Sequence, residues 1–146
     1  MTALYATLVK WASLAQPLAL LGARLLVARV FLLSGLTKWN GLTIRDDTFY
    51  LFADEYFAKY ALPSGVTNTF AVMSAVAEIV LPALLIFGLF TRIGALGLLV
   101  MTGVIQVFVY PDAWWNVHAW WMVVLLVLIA FGPGAWSADR LLKIER

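Results

Sequence analysis

The run Thr69–Phe90, TFAVMSAVAEIVLPALLIFGLF, carries a single charged residue, Glu78, and its reading decides the architecture. A helix rises about 1.5 Å per residue, so about 20 apolar residues cross the hydrocarbon of a bilayer. Working outward, Leu18–Thr37 precedes this run, and Ile93–Tyr110 and His118–Phe131 follow it, the last extendable back through Trp114. The chain is therefore expected to be all-α, an integral membrane four-helix bundle. Its spans fall at about 18–37, 69–90, 93–110 and 114–131, within one domain over residues 1–146.

Composition agrees. Of 146 residues, 64% are hydrophobic and 12% charged, against about 25% charged in soluble globular chains. A water-soluble enzyme is excluded on that ground. Cysteine is absent, which excludes disulfides, thiolate metal sites and thiol chemistry by this chain, and a single His excludes bis-histidine haem ligation within it. The formal net charge of +2 comes with no basic tract, so nucleic acid is not an expected partner. No metal site and no covalently bound cofactor is expected.

The connections set the topology. Phe90-Thr91-Arg92 and Pro111-Asp112 are short turns that force antiparallel neighbours, giving up-down-up-down order with both termini on one side. Met1–Gln16, with Leu4, Tyr5, Leu8, Trp11 and Ala15 at helical spacing, suits either a short interfacial helix ahead of Pro17 or a weakly ordered tail. Arg24 and Arg29 interrupt the first apolar run and no small-residue cleavage site follows, so this segment is expected to be retained. The one long connection, Trp39–Val66, holds an amphipathic helix that Asp46 or Asp47 caps; it runs to about Tyr60 and ends at Leu62-Pro63-Ser64-Gly65. Gly132-Pro133-Gly134 breaks the fourth helix, and Ser137 starts a last short one, Ala138–Ile144. Lys10, Arg92, Arg140, Lys143 and Arg146 collect on the terminal side, and Lys38, Arg45 and Lys59 on the other, which predicts cytoplasmic termini. All seven Trp are expected at span ends, as an aromatic belt.

The ionisable residues inside the spans carry the functional reading. Arg29 and Glu78 each lie about eleven residues into their spans, at one expected depth. Either alone costs roughly 2.5–3.5 kcal/mol at the centre of a bilayer, an expense that pairing lowers, so the two are expected to meet. Such a pair either locks two helices together or holds a ligand. Arg24, nearer the terminal side, is expected to snorkel, and Lys38, at the far end of the first helix, is equally an interfacial anchor or a member of a polar track. Gln106 shares a face with Thr102 and can bond across helices, and His118 opens the fourth helix. Together Lys38, His118, Gln106 and Ser34 trace a polar track from the loop side toward Arg29 and Glu78. Small residues, Gly22, Gly35, Ala75, Ala77, Gly94, Gly97 and Gly103, allow close packing around it. Pro82, four residues after Glu78, has no N–H to give the Glu78 carbonyl. No P-loop, GxGxxG, HExxH, CxxC or serine-nucleophile pattern is present.

Several of these segments together resemble the DoxX family of small membrane proteins. They are the first span with Arg29, Gly35 and Lys38, the buried Glu78, GLFTRIGALGLLVM at Gly88–Met101, YPDAWWNVH at Tyr110–His118, and GPGAWSADRLL at Gly132–Leu142. The resemblance implies a four-helix inner-membrane protein tied to respiratory-chain, sulfur or thiol redox systems, as in the DoxD-type membrane subunit of thiosulfate:quinone oxidoreductase. It suggests Arg29, Lys38, Glu78 and His118 as the intramembrane positions of interest and assigns no catalytic residue. With no Cys and no cofactor motif, any electron chemistry needs a diffusible carrier such as quinone, or a partner subunit. The leading expectation is a membrane subunit of an oxidoreductase complex that binds a quinone or small substrate at Arg29, Glu78, Lys38, His118 and Gln106. A small transporter or channel subunit and a scaffold for a partner protein are the alternatives. The expected partners are the lipid bilayer and either partner subunits or further copies of the chain.

Overall fold

The computed structural model describes residues 2–145. Among these, four helices are long and apolar enough to cross a membrane: Leu4–Thr37, Ser64–Phe87, Thr91–Val109 and Pro111–Phe131. The first comprises two pieces, α1 (Thr2–Leu14) and α2 (Gln16–Thr37), joined at Ala15, whose backbone is itself helical. Pro17 falls in the first turn of α2, where its missing N–H costs nothing, so the helix expected ahead of Pro17 runs on into the span.

The long connection departs most from expectation. It opens with a small hairpin, β1 (Trp39–Asn40) and β2 (Thr43–Ile44), turning at Gly41 with φ +61°. Next comes α3 (Asp46–Tyr50), which continues through a wider coil, Leu51–Tyr56, closed by Phe57 N–H donating to the Phe52 carbonyl at 3.1 Å. A tight turn at Ala58–Tyr60 completes it, so the expected helix to Tyr60 is present but irregular. Neither Asp46 nor Asp47 caps it through its side chain; both lie in its first turn, where they favour the helix dipole.

Helix α4 (Ser64–Phe87) starts five residues earlier than predicted. Pro63 sits at its N-cap, and the Pro63 carbonyl accepts from Val66 N–H at 2.9 Å and from Thr67 N–H at 3.2 Å, so the residues read as a terminator initiate the span. Gly88, at φ +65°, ends it in the left-handed conformation that glycine adopts without strain. Helix α5 (Thr91–Val104) extends as a wider coil to Val109, and α6 (Ala119–Phe131) is preceded by turns over 111–118. Ser137 caps α7 (Ala138–Leu141) by accepting from Arg140 N–H at 3.3 Å, as expected from the sequence, although α7 is shorter than predicted.

Side-chain size sets the packing. Gly94 faces Leu84 and Leu85, and Gly97 faces Leu81, so α4 and α5 approach closely; Gly22 and Gly103 have nothing near them and do not contribute. Leu20, Val27, Phe31, Leu85, Leu98, Leu125 and Leu128 form the core between α2, α4, α5 and α6. Helix α2 buries Leu20, Arg24, Val27, Ala28, Phe31 and Gly35, a stripe at spacings of three and four.

The register of α2 on α4 positions the site. A Cβ on Gly35 would lie 2.7 Å from the Glu78 carbonyl oxygen, the carbonyl that Pro82 leaves without its helical donor. At the other end, the Arg24 guanidinium lies over Gly88. Helix α2 therefore stops, at Thr37, level with the middle of α4. The first half of α4 packs instead on the connecting segment: the Trp39 indole donates to the Ala75 carbonyl at 3.1 Å, and Phe57 stacks on Phe70 at 5.2 Å.

The terminal end is closed by the C-terminal segment. Asp139, fully buried, accepts from Phe90 N–H at 2.7 Å and Thr91 N–H at 2.9 Å, while its own N–H donates to the Gly88 carbonyl at 2.8 Å. Arg24 donates to the Trp136 carbonyl and lies in the field of Asp139. Contrary to the expectation that it would snorkel, Arg24 is 1% exposed, because the returning segment covers it. Arg92 donates to the Ile129 and Ala130 carbonyls at the end of α6 and pairs with Glu145 at 3.0 Å.

Candidate functional site

Glu78, 3% exposed in the middle of α4, pairs with Lys38 rather than Arg29: Lys38 Nζ lies 2.6 Å from Glu78 Oε2. Lys38 follows the last turn of α2, whose early stop delivers its amine to the depth of Glu78. It also donates to Ser34 Oγ at 3.1 Å, and Ser74 Oγ donates to Glu78 Oε1 at 2.7 Å. The ion pair thus sits in a four-member chain, Ser34–Lys38–Glu78–Ser74, that gives a buried charge both a counter-charge and hydrogen bonds.

Arg29 fails to reach it for two reasons. It lies six residues from Gly35 toward the terminal end, about 9 Å along the helix axis. It also follows Val27 and precedes Phe31 by two residues each, which turns it about 160–200° away from the buried stripe. The side chain is exposed, and among the described residues it has neither a hydrogen bond nor an ion pair. The register corrects the expected Arg29–Glu78 pair, and of the two readings of Lys38 it favours the polar track over the interfacial anchor.

Lys38, Glu78 and His118 line one cavity of about 380 Å³, within the size range of small-molecule sites. Its walls are otherwise apolar and aromatic, including Phe31, Phe52, Phe57 and Trp121. Phe70, Met73, Val100 and Val104 line it too and are exposed, so the cavity opens sideways between α4 and α5 toward lipid. The connecting segment supplies Phe52, Tyr56 and Phe57, a wall that no transmembrane helix provides. Trp121 packs edge-on to Phe31 at 5.2 Å and against His118 at 5.2 Å. Trp39 and Trp121 are thus structural members of the interior, and Trp120 and Trp121 stand midway along the fourth span, not at a belt.

His118 is oriented by Gln106. Gln106 Nε2 donates to the Pro111 carbonyl at 2.6 Å, which leaves Oε1 to accept from His118 Nδ1 at 2.6 Å. The neutral ring then keeps Nε2 for another partner. The predicted interhelical bond of Gln106 is present, whereas Thr102 turns to the Leu98 carbonyl of its own helix at 2.7 Å. Tyr56 and Tyr110 bring their hydroxyls to 3.5 Å at the rim. Burial, and then the Tyr110 hydroxyl, raise the pKa of Tyr56 above the ordinary phenol range, so it remains a donor at physiological pH.

A second, polar cavity adjoins the first and shares Ser34, Lys38 and Tyr56 with it. Thr37, Arg45, Asp47, Thr48 and Leu51 complete its lining, and Arg45 pairs with Asp47 at 2.7 Å on the exposed side. Among the described residues, no cluster of three or more His, Asp or Glu is grouped to hold a metal ion. Of the predicted site residues, the structure brings Lys38, Glu78 and His118 to one cavity, attaches Gln106 through His118, and sets Arg29 apart. Sequence reasoning missed Ser74, Tyr56 and the aromatic wall; only Ser74, one turn before Glu78 on the same face, carried a visible signal.

The family described as DoxX matches residues 19–111, more than half of the chain. An uncharacterized protein of Haemophilus influenzae is 34% identical over 134 residues, covering 84% of this chain and 85% of its own length. An uncharacterized membrane protein of Mycobacterium tuberculosis is 29% identical over 148 residues, covering 87% and 83% respectively. No solved structure matches the chain.

Proposed function

The chain belongs to the DoxX family of membrane proteins, and from that premise we propose that it is a membrane subunit of a quinone- or sulfur/thiol-linked redox system, holding a quinone or similar small amphiphile in the cavity beside Glu78. The observation that carries this reading is a lipid-open apolar cavity with one buried ion pair and one oriented imidazole on its wall. A ligand that partitions into lipid reaches such a cavity sideways, lays its apolar body on Phe52, Phe57 and Trp121, presents a carbonyl oxygen to the Lys38 ammonium and, in its reduced form, donates a hydroxyl to His118 Nε2. Absence of cysteine leaves electron transfer to that diffusible ligand and to a partner subunit. On this reading the termini face the cytoplasm across an inner membrane, following the bias of Lys and Arg.

Purified chain in lipid nanodiscs tests the proposal. Quinone is expected to co-purify, and both Glu78→Gln and Met73→Trp, which fills the mouth, should reduce its content at least tenfold while helical content is unchanged. Wild-type quinone content in both folded variants would refute the reading.

A further inference from the structure

The two cavities share Ser34, Lys38 and Tyr56 and differ in character. The first is walled by aliphatic and aromatic side chains and opens between α4 and α5 to lipid; the second is lined by Thr37, Arg45, Asp47 and Thr48 of the connecting side. Lys38 and Ser34 belong to both walls, Glu78 only to the lipid-facing one. The partition between them is therefore the hydrogen-bonded chain Ser34–Lys38–Glu78, with Nζ at 3.1 Å from Ser34 Oγ and 2.6 Å from Glu78 Oε2. A buried ammonium and carboxylate placed across such a partition connect a polar space to an apolar one through two proton-carrying groups.

We propose that the polar cavity is an aqueous antechamber and that Lys38 and Glu78 relay protons from it to the polar head of a lipid-soluble ligand in the other cavity. This deepens, and rests on, the reading of the lipid-facing cavity as a binding site; its ligand class is an amphiphile with an oxygen that gains and loses a proton. In uptake, the Lys38 ammonium gives an N–H proton to Glu78 Oε2, the carboxylic acid so formed gives its O–H proton to the ligand oxygen, and the amine takes a proton from antechamber water. Both side chains return to their starting states, and release runs the steps backward. No electron passes along the chain. The other titratable or charged groups facing the pair are His118, Tyr56 and Tyr110 on the lipid side, and Arg45, Asp47 and Tyr56 on the water side.

The lack of native cysteine makes a first test direct. In nanodiscs, where both faces meet bulk water, Thr37→Cys and Leu51→Cys should react with a charged, membrane-impermeant methanethiosulfonate at least tenfold faster than Met73→Cys, which should prefer a lipid-soluble maleimide. Equal rates would remove the antechamber. The second test uses an alkyl-hydroxynaphthoquinone, whose colour reports loss of its acidic proton. After a stopped-flow pH jump, at probe concentrations high enough to fill the weakened site, probe bound to the wild type should change colour at least tenfold faster than probe bound to Lys38→Met/Glu78→Leu, a double change that leaves no buried charge unpaired. Lys38→Arg, which keeps the charge beside Glu78 but cannot give up its proton, should bind the probe and stay as slow as the double variant. Probe that binds the double variant and responds as fast as in the wild type would overturn the relay while leaving the binding site standing. Probe that binds no form of the protein would overturn both.

Discussion

Two buried polar clusters, one at each end of α2, look alike in the sequence and behave oppositely in the fold. At the terminal end, Arg24 and Asp139 are spent on backbone: a carbonyl of the returning segment and two N–H groups at the start of α5. No cavity adjoins them among those described. At the other end, Lys38 and Glu78 are spent on each other and on two hydroxyls, and two cavities touch them. In this chain the buried charges that border cavities are those whose partners are side chains. Partnered with backbone, the same charge is a fastening.

Four substitutions break or sharpen this contrast. The largest effect is expected for Lys38→Met, which strands the Glu78 carboxylate and should lower stability by roughly 3–5 kcal/mol. SDS titration of mixed micelles reads it, and adding Glu78→Leu should recover most of the loss, because both members of this pair are replaceable. Asp139→Ala should cost about 2–4 kcal/mol, since two buried N–H donors lose their acceptor and each costs about 1–3 kcal/mol unpaired. Here no companion substitution can help, as the donors are backbone; recovery by any apolar change at Arg24 would abolish the distinction drawn above. Gly35→Ala drives a Cβ to 2.7 Å from the Glu78 carbonyl and should cost about 1–3 kcal/mol while separating the two helices at the site. Quinone content of the surviving folded fraction should fall with it. The smallest effect belongs to Arg29→Leu, expected within about 0.5 kcal/mol of the wild type with unchanged quinone content; a loss of several-fold would return Arg29 to the site.

The four spans were legible because about 20 apolar residues in a row admit few other folds, and the Ser137 cap because its residue type and position suffice. Both readings rest on local information. The pairing of Glu78 failed because depth was counted from span ends, as though all four helices were centred on one plane. Nothing local in α2 reports that its end at Thr37 lies level with the middle of α4, although the stripe Leu20, Arg24, Val27, Phe31, Gly35 did hold the information that Arg29 points away. Likewise, Pro63-Ser64-Gly65 has the composition of a helix end and of a helix start alike, and the outcome is decided by the aromatic segment packed on the first turns of α4. The irregular coil at Leu51–Tyr56 has no periodic signature, so the wall it builds was invisible.

That wall has a bearing on how the protein assembles. Between Trp39 and Val66 the chain carries Arg45, Asp46, Asp47, Asp54, Glu55 and Lys59, too many charges to partition into lipid unaided. Its aromatic residues can settle only after the helices on either side have inserted and come together. The aromatic side of the cavity beside Glu78 therefore depends on helices that are already paired, and a change that loosens α4 from its neighbours should disturb this wall as well.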